Sequence, residues 1–541
     1  PDDSSHTCHS KKNRKYLWIF GLVSAVSALW LLIRTGNKPS RIVYPCQQAA
    51  VTNIELFKLS LLAALPSVAT IRSRLAPLKP IGVITVLLVG SAFITSETGL
   101  QSLGFYLAQE YDRVPLELQE NVATTSEHTS DVFLAQCVTG EEGDTTLGLS
   151  ALFEIMADEG LHFYNTTTEP SGLIESNDVI ILKVNSQWSY RGGTNTDLVK
   201  AVVDAIIAHP EGFTGEIVIA DSGQGIGNLD RVYSNAFDNS QSFEDVAQQY
   251  SMVSTDLWDE YHYDTVDDYD MGDFEEGYVR SSIWNADTEI YTSYPKFTTD
   301  SGLYISFKNG VWDNTTGWDS NRLKVINMPV LKSHMRYGVT SCVKHYMGVP
   351  QGYIVPSVDE NIPHEHFSIA RGGMGTLMVE TRMPILNILD MIWVNAHTLN
   401  SSMRGPWSRY FAASFTDIIG ASRDPVALDY WASKNILIPT SEYLGYTDVT
   451  SIDPDYAPVA TEFYGEVGMD ESFHNYLNRS KVVLENAGFQ VTMDTAEMNV
   501  FVTIVNQNAT LPTGSDFQID PLLLAIAIPL SAILIVGAVV V

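Results

Sequence analysis

Four stretches of this chain carry almost no charge, and between the third and the fourth the apolar positions settle into a strand–helix–strand rhythm. Residues 16–33 are 18 uncharged, mostly apolar residues preceded by Lys11, Lys12, Arg14 and Lys15. That length spans a bilayer, with the basic flank on the cytoplasmic side. Residues 59–71 form a shorter stretch flanked by Glu55 and Lys58, and residues 80–96 are 17 uncharged positions; Arg72, Arg74 and Lys79 lie between the two. Three spans fit these charges, and one or three both place the downstream chain outside. Residues 521–541 are 21 uncharged residues that read as a second anchor, preceded by an Asn/Thr/Pro/Gly-rich stalk at 506–520.

The intervening pattern predicts an α/β fold: a mostly parallel sheet with flanking helices. Residues 132–136 read as a strand and 146–160 as a helix ending on Gly160. Residues 178–185 (DVIILKVN) are a nearly continuous apolar run, the mark of a strand buried on both faces. A helix at 196–209 and a strand at 216–221 (EIVIAD) continue the rhythm, which implies right-handed parallel crossovers. Residues 238–300, dense in Asp, Glu and Tyr, read as a surface insertion. Beyond them the pattern predicts one strand over 323–332, a helix over 340–347, strands at 385–394 and 417–421, a helix over 425–434 capped by Asp424, a helix over 472–487 and a strand over 500–505. The expected organisation is a membrane region at 1–100, an α/β domain at 101–505, the stalk at 506–520 and the C-terminal transmembrane helix at 521–541.

Charge divides the same way. Residues 1–100 hold 11 Lys and Arg against 4 Asp and Glu, whereas the remainder holds 21 against 60, within a net charge of −32. So acidic a body argues against nucleic acid as a partner, since phosphate binding needs a basic face. The four cysteines, Cys8, Cys46, Cys137 and Cys342, form no CxxC pair, and no iron–sulfur cluster is expected in this chain. Cys137 and Cys342 read either as a disulfide or as two buried thiols. N-x-S/T sequons at Asn165, Asn314, Asn400, Asn478 and Asn508 are candidate glycosylation sites that fit an outside location.

In open parallel sheets ligands bind at the carboxyl ends of the strands. Lys183 and Asn185 end one strand on a shared face, Asp221 ends another and opens a Gly-rich turn, Lys332 and His334 end a third, and Asp390 ends or nearly ends ILNILD. Thr340 and Lys344 lie one turn apart on the predicted 340–347 helix, whose N-terminus would attract an anion. His334, Cys342, His345, His364 and His366 cluster in sequence without a recognised metal spacing; His334 and His366 are the candidate metal ligands. Asp429 lies in the apolar run VALDYW and must find a donor.

The runs DVIILKVN, EIVIADSG, VINMPVLKSHMRYGVTSCVKHYMG and ASRDPVALDYWA resemble, in that order, the domain-of-unknown-function family 362, over residues 130 to 505. The resemblance implies that Lys183, Asn185, Asp221, Lys332, His334, Thr340, Lys344, Asp390, Asp424 and Asp429 occupy family motif positions, and that Gly405-Pro406 is a family turn. Two departures stand out. The family's Lys-Asn pair is Lys344-His345 here, and the ferredoxin module of some relatives has no cysteines to hold it.

The leading expectation is a membrane-anchored, extracytoplasmic domain that binds or transforms a small anionic ligand. His334 would be its general acid/base, oriented by Asp221 or Asp390, and Lys183, Lys332 and Lys344 would supply charge. The alternatives are a non-enzymatic cell-envelope interaction protein and a metal-dependent redox partner.

Overall fold

The computed structural model describes residues 113–505 except 126–128, 139–141, 189, 225–226, 232–240, 262–263, 269–273, 289, 336, 352–368, 370, 399–400, 402, 406–409, 411 and 458–471. The stretches read as membrane spans at 16–33, 59–71, 80–96 and 521–541 and the stalk at 506–520 lie outside the described residues. Among the described residues no helix is long and apolar enough to cross a membrane.

The chain begins β1 (Ser130–Gln136), α1 (Glu142–Asp158), β2 (Val179–Lys183), α2 (Thr196–Ile207), β3 (Glu216–Asp221), α3 (Phe243–Ala247) and β4 (Val253–Leu257). Five short strands come next: β5 (Gly277–Arg280), β6 (Ser293–Thr298), β7 (Tyr304–Ser306), β8 (Gly310–Asp313) and β9 (Gly317–Asp319). Then come β10 (Leu323–Asn327), β11 (Val330–His334), β12 (Gly338–Thr340), α4 (Cys342–His345), α5 (Gly373–Glu380), β13 (Leu386–Asn395) and β14 (Ser414–Ser422). The chain closes with α6 (Pro425–Ala432), α7 (Ile438–Tyr443), α8 (Phe473–Asn486) and β15 (Met498–Ile504).

The main sheet has the order β15-β1-β14-β13-β10-β2-β3-β4, with β11 and β12 beside β13. Its neighbours are parallel except where β14 meets β1 and β13 and where β12 meets β11. The expected mixed α/β architecture with a mostly parallel sheet is therefore the one found. Strand alternation separates two apolar layers. Ile180, Leu182, Ile217 and Ile219 pack with Leu152, Leu198 and Val202 of α1 and α2. Val179, Ile181 and Val218 face the opposite layer, with Val343, Leu377, Leu428 and Leu477 from α4, α5, α6 and α8. Each such side chain removed from water contributes about 1.5–3 kcal/mol, which is why β2 reads as an uninterrupted apolar run.

Three expectations need correcting. The 323–332 strand is two strands, because Pro329 has no N–H to give to a ladder. Its carbonyl instead accepts from Asp390 N at 2.9 Å, and the chain steps from the start of β13 to its far end, so that Val330 pairs with Asp390 and Lys332 with Asn395. Asp390 accordingly lies within β13, not at its end. The acidic insertion begins later than 238, since β4 belongs to the main sheet and α3 packs in the core layer beside it; a separate antiparallel sheet, β5 to β9, runs on to Asp319. Its buried Tyr278, Phe297 and Phe307 join Trp258 in the core, an alternation masked by the Asp and Tyr content of the segment. Of the two readings of Cys137 and Cys342, free, buried thiols are the one found.

Candidate functional site

Lys183 and Asp221 close adjacent parallel strands, β2 and β3. Their side chains meet at 2.7 Å with exposures of only 1% and 2%. Lys183 Nζ also donates to the Val184 carbonyl at 3.2 Å. Asp221 Oδ2 accepts from Ser186 N at 2.8 Å and Ser186 Oγ at 3.0 Å. Burial pushes the Lys183 ammonium down and the Asp221 carboxyl up from their ordinary ranges, and their mutual contact opposes both shifts. Gly348 lies against this pair; a Cβ there would overlap Asp221 Oδ1 and Lys183 Nζ, so only glycine lets the backbone approach.

Lys332, also buried, comes from β11. Its Nζ donates to the Gly192 carbonyl and lies 4.5 Å from the centre of the Tyr410 ring. Burial above all, and then the Lys344 and Lys183 charges, hold this ammonium well below its usual range; Asp221 and Asp390 pull the other way. Lys344 donates to Thr340 Oγ1 at 3.4 Å, and Thr340 is the cross-strand partner of Lys332. Asp390 Oδ2 accepts from Asn195 N at 2.9 Å, at the start of α2. Asn185 is anchored through its backbone N–H to Thr194 Oγ1 at 2.8 Å, while its buried Oδ1 has no hydrogen-bond partner among the described residues. Lys183, Asp221, Lys332, Lys344 and Asp390 thus converge from five different elements.

The short helix carrying Lys344 is held from outside. Asp429, on α6, accepts from Cys342 N at 2.7 Å and Val343 N at 3.0 Å. It fills the N-terminus that the sequence left open to an anion. Thr340, expected on this helix, instead ends β12, and Ser341 is the N-cap. His345, the family departure, lies in the heart of the site. Its Nδ1 is 2.7 Å from Asn327 Oδ1 and its Nε2 is 3.0 Å from the Val184 carbonyl.

Of the remaining expected residues, Asp424 is structural: one carboxylate oxygen caps α6 through Val426 N and Ala427 N, and the other accepts from Ser130 Oγ and Thr492 N. Asp429 likewise positions backbone. His334 ends β11 opposite Gly338, nearly buried. The two carboxylates expected to orient it are already held by Lys183 and Ser186 and by Asn195 N and Ile392 N. Among the described residues no group of His, Cys, Asp and Glu is placed to hold a metal; His364 and His366 lie outside them. Asn314 and Asn478 are exposed and Asn165 half-buried; Asn400 and Asn508 lie outside the described residues. Gly405 accepts from Met335 N at 2.8 Å and lies against Tyr410, too close for a Cβ.

Sequence reasoning missed Ser186, Gly348, Asn327 and Tyr410 as parts of this site. Ser186, one residue past the Lys-x-Asn pair, was the findable one, since strand-end hydroxyls commonly satisfy a neighbouring carboxylate. Asn327 was hidden by the single-strand reading of 323–332.

Residues 323–434 match the family model described as Domain of unknown function (DUF362). That segment carries Lys332, His334, Thr340, Lys344, Asp390, Asp424 and Asp429, whereas Lys183, Asn185 and Asp221 precede it. No curated protein and no solved structure matches the chain.

Proposed function

Residues 323–434 match the DUF362 family model, and from that premise we propose that the chain's α/β domain binds a small anionic molecule among Lys183, Lys332 and Lys344. The observation that carries this reading is Lys332. A buried ammonium costs several kcal/mol of hydration unless an opposite charge compensates it. Asp221 is committed to Lys183, and Lys332 itself is met by a carbonyl and an aromatic face, with two further ammonium groups pressing on it. An anion supplies the missing charge, and the orphaned Asn185 Oδ1 offers it an acceptor for a hydroxyl or protonated oxygen. His334 stays the acid/base candidate by its place two residues from Lys332. The uncharged stretches at both ends and the basic flanks at 11–15 and 72–79 support anchoring in a membrane with this acidic domain outside.

Calorimetric titration of the full chain with sulfate and with inorganic phosphate at low ionic strength tests the reading. A saturable heat with about one anion bound per chain is expected, and it should weaken with added salt. A response that stays linear with both anions to millimolar concentration would contradict it.

A further inference from the structure

Resting on the reading of the lysine cluster as an anion site, we propose that His345 takes up a proton when the anion arrives, so that the ligand is a doubly charged oxyanion bound together with a proton. Both ring nitrogens of His345 face oxygen. The Val184 carbonyl, 3.0 Å from Nε2, can only accept. So can the Asn327 atom 2.7 Å from Nδ1, because the orientation of that amide is fixed from its other side. Asn327 Nδ2 donates to the Cys342 carbonyl at 3.1 Å and to Asn387 Oδ1 at 2.9 Å, and Asn387 Nδ2 ends on the Ser422 carbonyl at 3.1 Å. Turning the Asn327 amide over would aim its oxygen at a backbone carbonyl. A neutral imidazole has one N–H and satisfies one of its two acceptors; the imidazolium satisfies both.

Against the cation stand burial first, then Lys183 from β2, Lys332 from β11 and Lys344 from the ring's own helix, which together press the ring well below its usual pKa. Asp221 and Asp390 face the lysines, and Asp429 is engaged at the N-terminus of α4 with Cys342 N and Val343 N. Without an anion the ring is therefore neutral, with one lone pair turned toward an oxygen. An anion seated among the ammonium groups offsets their repulsion, and the two acceptors then decide the protonation state. Among the described residues that bear on the ring, Lys183, Lys332, Lys344 and the imidazolium against Asp221 and Asp390 leave an excess of two positive charges, which a sulfate-like or phosphate-like dianion neutralises.

Sulfate is the probe, because its double charge stays fixed through the neutral range. The full chain is titrated calorimetrically in buffers of different ionisation enthalpy. Uptake of up to about one proton per sulfate is expected, with affinity falling about tenfold per pH unit as pH rises between the free and bound pKa of the ring. In His345→Asn, which keeps a neutral donor, sulfate should still bind, with about one proton less taken up and a flattened pH slope; equal uptake in both proteins overturns the inference. Ring-nitrogen NMR on the native protein needs no variant: saturating sulfate should convert one histidine from one ring N–H to two, and histidines unchanged at saturation overturn it. Absence of saturable sulfate binding to the native chain removes the anion site itself, and this inference with it.

Discussion

Asp429→Ala is expected to lower folding stability by about 3–5 kcal/mol, because it leaves two buried N–H groups without an acceptor. Asp429 is completely buried on α6 and accepts from Cys342 N at 2.7 Å and Val343 N at 3.0 Å. Burial lifts its carboxyl to about 6, and the hydrogen bonds from Ser341, Val343 and Cys342 oppose that rise. Charge-assisted hydrogen bonds contribute about 1.5–3 kcal/mol each, so two of them account for the expected loss. Asp429→Asn should recover less than half of it: an amide presents one acceptor and turns its NH2 toward the second N–H. Denaturant unfolding of the three proteins measures this directly. A loss under about 1 kcal/mol for the alanine variant would show that the two N–H groups find other acceptors.

Asp221→Ala should cost a similar amount, about 3–5 kcal/mol, by a different route, since it strands the Lys183 ammonium beside Val184 in a closed interior. Lys183→Met alone should cost less than Asp221→Ala. The carboxylate it leaves behind retains both Ser186 donors at 2.8 and 3.0 Å and takes up a proton more readily than a buried lysine releases one. The double variant Lys183→Met/Asp221→Leu should recover most of the stability lost by Asp221→Ala, because an apolar pair of similar volume replaces two buried charges. A double-variant cycle in urea settles the matter. Strictly additive losses would mean that the 2.7 Å contact couples the two residues weakly.

Much of this could be read from the chain. DVIILKVN and EIVIAD announced two parallel strands by their unbroken apolar runs; β2 and β3 are neighbours, and Lys183 and Asp221 meet at their carboxyl ends. Asp424 with Pro425 marked the start of α6, where the cap is found. Other features depended on tertiary context. Nothing local says that Asp429 reaches across to the N-terminus of α4, and without that contact the N-terminus looks open to an anion. The split at Pro329 was visible as a residue without an N–H, but a strand pattern on both sides of it outweighed that signal. Within the acidic segment, tyrosine and aspartate hid an alternation that the successive pairing of β5, β6, β7, β8 and β9 reveals. His345 is the residue whose meaning changed most. In sequence it is a departure from a Lys-Asn pair; in space it bonds Asn327 and the Val184 carbonyl with the charges of Lys183, Lys332 and Lys344 bearing on it.

If the anion reading holds, Lys332 is kept for a ligand at the expense of the fold. Lys332→Met retains the volume of the side chain and removes a buried ammonium that burial, Lys344 and Lys183 all disfavour. The hydrogen bond to the Gly192 carbonyl, the contact with Tyr410 and the weaker attraction of Asp221 and Asp390 are lost in return. The decisive measurement is a melting curve of Lys332→Met beside its sulfate titration, both against the parent chain. A midpoint no lower than the parent's in the absence of anion is expected, together with at least about a tenfold loss of sulfate affinity, the equivalent of about 1.4 kcal/mol. A clearly lower midpoint with sulfate affinity unchanged would assign Lys332 to the scaffold and contradict the anion site.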